Sequence, residues 1–129
     1  MPVPAKIAAI SLFVESIERS RIWYQTVFAC TVDFEDDVSC VLKFENVLIN
    51  LLLKSAAIDL IAPATVATPV NETHAQFSIW FDNVDQTIAE LASKGVSMLN
   101  GPIDRPWGLR TAALTDPDGH NWELAQAIA

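Results

Sequence analysis

Ile10-Ser11-Leu12-Phe13-Val14-Glu15-Ser16-Ile17-Glu18 and Phe77-Ser78-Ile79-Trp80-Phe81-Asp82-Asn83-Val84-Asp85 are two copies of one pattern. They lie 67 residues apart, and all nine pairs agree in chemical type. Apolar agreement alone comes easily to strands. The shared tail of acid, hydroxyl or amide, apolar residue and acid does not, and Ser20 over Thr87 carries the match onward. A repeat of this length is one supersecondary unit used twice.

Working outward from the first copy, residues 7–14 form a β-rich run between Pro4 and Glu15-Ser16. Ser16 is placed to cap a helix with Glu18 in its first turn. Ile17, Tyr24 and Phe28 recur in it at helical spacing. Strands are expected at 31–34, 38–44 and 47–53, with turns at Glu35-Asp36-Asp37 and Glu45-Asn46. Residues 55–74 are rich in Ala, Pro, Thr and Val without a clear period, and read as a linker or crossing loop. In the second copy a helix over 84–93 stops at Gly95. Strands at 97–99, 109–114 and 121–126 follow, with Gly101-Pro102 as a loop and Asp116-Pro117-Asp118-Gly119 as a tight turn. The closing hairpins correspond at an offset of 73. The chain reads as one α+β domain, 1–129: module one about 5–54, a linker about 55–74, and module two about 75–129, each β-α-β-β-β.

A chain of 129 residues buries roughly two-thirds of its unfolded surface, and 51% apolar with 19% charged residues is a globular composition. A net charge of -8 argues against a nucleic-acid partner. No apolar run reaches a membrane span. The start, MPVPAKIAAI, lacks a basic region leading into an apolar stretch, so a cytoplasmic location is expected. Cys30 and Cys40 form no CxxC and read as buried free thiols. There is no phosphate loop, HExxH or GxSxG. His74 and His120, beside turn residues, read as solvated loop histidines.

Glu18-Arg19-Ser20 with Trp23-Tyr24 and Val27-Phe28, and Asp116-Pro117-Asp118-Gly119-His120 with Trp122-Glu123, resemble the vicinal oxygen chelate superfamily. That superfamily includes glyoxalase I, extradiol dioxygenases, methylmalonyl-CoA epimerase and the fosfomycin and bleomycin resistance proteins. The resemblance implies two tandem βαβββ modules forming a curved mixed sheet around a cleft, and a homodimer. In metal-using members each module supplies one ligand from its first strand and one from its fourth. By the same resemblance those positions fall here on Ala9, Asn50, Gln76 and Glu123. Only Glu123 is an ordinary ligand, since alanine has no donor and neutral amides suit neither zinc nor ferrous iron. The expectation is therefore no metal site and no cofactor.

Strand alternation predicts what such a cleft holds instead. Ala9, Ser11 and Phe13, Leu48, Asn50 and Leu52, Gln76, Ser78 and Trp80, and Asn121, Glu123 and Ala125 share one phase. The opposite phase is wholly apolar and belongs under the helices. Phe13 and Trp80 could be core aromatics, but Ser11, Ser78, Asn50 and Gln76 would then be polar groups buried without purpose. Trp107 is placed by the resemblance at the cleft mouth. Arg110 could aim its fork at a carboxylate there, or the segment could be a loop pinned by Trp107 with solvated arginines.

Three functions stay open. The first is a binding protein of the bleomycin-resistance type, holding a flat or cationic small molecule between aromatic rings in a metal-free cleft. The second is a lyase, isomerase or dioxygenase-type enzyme with Glu123 as catalytic base, or with ligands from unexpected positions such as His74 or His120. The third is a homodimer without a ligand.

Overall fold

The computed structural model describes residues 3–68 and 71–128. They form two compact units that divide between residues 68 and 69. Unit one runs β1 (Ala9–Val14), α1 (Ile17–Phe28), β2 (Thr31–Glu35), β3 (Ser39–Lys43), β4 (Leu48–Leu53) and α2 (Lys54–Ile61). Ser16 caps α1 by accepting the Arg19 N–H at 3.2 Å, and Glu18 complements the dipole of the first turn. The sheet order is β1-β4-β3-β2, with β1 parallel to β4 and the rest antiparallel. A parallel pair needs a long crossover, and the chain from α1 to β3 supplies it.

Register puts Leu12, Leu51 and Cys40 in one row, and Ile49 beside Leu42 in the next. All five are buried, as are Tyr24 and Ser20 of α1, so this face of the sheet is the core of unit one. Each fully buried large apolar side chain contributes roughly 1.5–3 kcal/mol. The other face carries Ser11 opposite Asn50.

Unit two repeats the plan with β5 (Gln76–Trp80), α3 (Val84–Ser93), β6 (Asn100–Arg105), β7 (Leu109–Thr115) and β8 (Asn121–Ala127). Its order is β5-β8-β7-β6, and β5 is parallel to β8. Trp122 and Leu124 pair with Leu114 and Ala112. All four are buried, together with Val84 and Leu91 of α3, and Phe77 meets Trp122 with ring centroids 5.1 Å apart. The fold is thus α+β, two tandem βαβββ modules each with a four-stranded mixed sheet.

Two expectations are corrected. The stretch 55–74 is not all loop, because α2 continues directly from β4 through Lys54–Ile61. This helix has no side-chain cap, and five apolar residues in only eight positions leave no clear period. Residues 97–99 are not a strand, and Gly101-Pro102 is not a loop: both residues lie inside β6. An edge strand tolerates proline, and the ladder to β7 shifts register between Asn100 and Ile103. Gly101 has φ +92°, and a Cβ there would sit 2.6 Å from the Thr111 carbonyl oxygen. Glycine is required there by this close approach. Among the described residues no helix is long and apolar enough to cross a membrane.

Candidate functional site

In unit two, register fixes which side chains share the face away from α3. Gln76, Ser78 and Trp80 of β5 pair with Asn121, Glu123 and Ala125 of β8. On the other side of β8, Glu123 and Ala125 pair with Ala113 and Thr111 of β7. Thr111 and Leu109 then pair with Ile103 and Arg105 of β6. One face of one sheet therefore carries an aromatic ring, an acid, hydroxyls, amides and a guanidinium.

Glu123 is the centre of this face. Ser78 Oγ donates to its Oε1 at 2.8 Å, and Gln76 Nε2 donates to its Oε2 at 3.4 Å. Both oxygens are held by neutral groups, so the charge is oriented without being cancelled. Asn121, partly buried, accepts from the Thr115 hydroxyl at 3.0 Å. Beside Glu123, Trp80 is 70% exposed, and the floor next to it is small and buried: Ala113, Thr111 and Ala125. An exposed indole over a shallow floor with a fixed acceptor can take a flat ring and a donor group together.

Unit one carries the same construction in neutral form. Asn50 stands where Glu123 stands, and Ser11 where Ser78 stands. Asn50 Nδ2 donates to Ser11 Oγ at 3.3 Å, while Asn50 Oδ1 is buried with no hydrogen-bond partner among the described residues. Phe13 is partly buried opposite Leu52.

Arg110 is not on the face of Glu123. Its register partners are Asp104 and Gln126, on the α3 side of the sheet. Its fork grips Asp85 through Nε and Nη2, both at 2.9 Å, and Nη1 reaches Asp104 at 2.8 Å. This bonding holds the Asp85 carboxyl below its usual range and raises Arg110. Trp107, 66% exposed, is in the turn from β6 to β7. The cation on the Glu123 face is Arg105, which in the sequence alone reads as one of two solvated arginines. The signal was present: the tight turn at 116–119 pairs Thr115 with Asn121, and counting back puts Arg110 with the core phase. His74 is exposed, and the His120 backbone N–H donates to Asp116 Oδ1 at 2.8 Å, within the turn.

The four positions marked by resemblance as metal ligands do not suit a divalent ion. Ala9 has no donor, Gln76 is a neutral amide spent on Glu123, and Asn50 presents one neutral carbonyl oxygen. Among the described residues no three His, Cys, Asp or Glu side chains cluster as a metal site.

Comparisons with known proteins bear on the fold. The family model described as "Glyoxalase/Bleomycin resistance protein/Dioxygenase superfamily" matches residues 6–124. A glyoxalase/bleomycin resistance protein/dioxygenase from Nocardioides is similar in structure at TM-score 0.85 and 19% identity, over 99% of this chain and 87% of that one. A glyoxalase-related enzyme from Fulvimarina pelagi is similar at TM-score 0.81 and 20% identity, over 95% and 88%. A lactoylglutathione lyase from Agrobacterium tumefaciens is similar at 0.76 and 16%, over 96% and 95%. No curated protein matches the sequence significantly.

Proposed function

The chain belongs to the glyoxalase, bleomycin resistance protein and dioxygenase superfamily, and on that premise we propose that it binds a small, flat, cationic molecule without a metal ion. The binding surface is the sheet face of unit two. Trp80 supplies the aromatic wall, and Glu123 is the counter-ion for a donor group. The observation that carries this reading is the Glu123 carboxylate, whose two oxygens are oriented by Ser78 and Gln76 beside a 70% exposed indole.

Titration with benzylamine, a flat ring bearing one ammonium group, tests it. Glu123→Gln should weaken binding by about 1–3 kcal/mol, the range for a charge-assisted hydrogen bond, with Tm unchanged. Equal affinity in the two proteins would refute the role of Glu123. A variant that keeps affinity for a superfamily substrate but loses turnover would favour the enzyme reading with Glu123 as base.

The proposal includes a homodimer in a reducing compartment. It is supported by exposed Ile58 and Leu60 on α2, by the free thiols Cys30 and Cys40, and by edge strands in both sheets that need cover. Light scattering at micromolar concentration should give twice the mass of one chain, and a monomer would contradict it.

A further inference from the structure

Arg105 closes β6 on the same face as Glu123. Its Nε donates to the Thr111 hydroxyl at 3.0 Å, and Thr111 is 1% exposed. That single bond, accepted by a buried oxygen, orients the guanidinium. It leaves Nη1 and Nη2 without a hydrogen bond or ion pair among the described residues, although Arg105 is partly buried. The contrast with other arginines is sharp: Arg21 has Glu35, and Arg110 has Asp85 and Asp104. In a chain with twice as many acids as bases, a fixed, partly buried fork that points its end-on N–H groups at no protein carboxylate among the described residues is an anion-binding arrangement. An end-on pair of N–H groups fits the two oxygens of a carboxylate.

We propose that Arg105 anchors a carboxylate of the ligand, which makes the ligand amphoteric: an anionic group at Arg105 and a cationic group at Glu123. The inference rests on the binding role given above to Glu123 and Trp80. The spacing is that of a small molecule. Thr111 is on the strand next to Glu123 and two residues out of register, so the anchor of the fork is about 8 Å from Glu123, Cα to Cα. Trp80, Ala125 and Thr111 form one row between them, where a flat body can lie. A carboxylate is favoured over a phosphate because a dianion would meet both Glu123 and a net charge of -8.

Three probes sharing one ring separate the contributions: benzylamine, benzoate and 4-(aminomethyl)benzoate, with phenyl phosphate as the fourth arm. Wild-type protein should bind 4-(aminomethyl)benzoate about tenfold to a hundredfold more tightly than benzylamine, as one added charge-assisted pair implies. Arg105→Met should erase that advantage while benzylamine binding keeps its dependence on Glu123, and it should lower Tm by a few degrees because the buried Thr111 hydroxyl loses its donor. Arg105→Lys, lacking the fork, should restore only part of the advantage. If Arg105→Met changes no affinity while benzylamine binding still depends on Glu123, the anchor role is overturned and the reading of Glu123 stands. If no probe binds, both fail. Phenyl phosphate binding more tightly than benzoate would overturn the assignment of a carboxylate.

Discussion

Asn50 and Glu123 occupy equivalent positions in the two modules, and the change from a neutral amide to a longer, charged carboxylate decides what each can do. Glu123 carries a charge that Ser78 and Gln76 hold in place. Asn50 spends its donor on Ser11 and leaves Oδ1 buried without a partner. A buried acceptor without a partner costs roughly 1–3 kcal/mol. Asn50→Leu removes it, and Ser11, being exposed, can turn to water for the bond it loses. The variant should be more stable than the parent by on the order of 1 kcal/mol in denaturant melts. A loss of stability would show that the amide is satisfied by an internal water. Cys40 illustrates the opposite case: burial, aided by the Glu35 carboxylate, pushes its thiol up to about 11, and it is an inert core residue.

At the level of elements, Arg110 joins three of them. It stands on β7, pairs with Asp85 in the first turn of α3, and reaches Asp104 on β6. Asp85 is held below the usual carboxylate range, first by its hydrogen bonds to Arg110. A lowered carboxylate pKa contributes stability that is present above the unfolded value and is lost as pH falls through the folded one. Arg110→Met should therefore lower Tm by a few degrees at neutral pH. The gap to wild type should close as pH drops through the Asp85 transition, and a gap independent of pH would mean that the side chain acts only by packing its stem. Two readings of Arg110 are open in the sequence, a fork aimed at a carboxylate in the cleft and a solvated loop arginine, and the phase counted back from the turn at 116–119 favours neither, since it puts Arg110 with the core residues. Once β6 is a bulged edge strand, Asp104 falls opposite Arg110 and Arg105 opposite Leu109. Helix α2 was missed for another reason, since a short helix that is apolar on most positions has no stripe to detect.

For the whole molecule, the repeat at offset 67 was enough to establish the fold, because strand-to-helix transitions are written in local residue choice. Both sheets follow the same strand order, and the nine matched pairs begin inside β1 and β5 and end in the first turns of α1 and α3. Strand phase in the sequence alone already places Gln76, Ser78, Trp80 and Glu123 on one face, and the register agrees. What phase could not show is which side chains hold each other: Ser78 and Gln76 on Glu123, and Thr111 on Arg105, are matters of register between strands far apart in sequence. The proposed binding surface is therefore one face of one sheet. Amide chemical-shift mapping over the full chain, with a library of small aromatic amines, tests it most directly. The account predicts shifts concentrated at Gln76–Trp80, at Thr111 and at Glu123. Shifts concentrated on unit one, or on the helical faces of either unit, would contradict it.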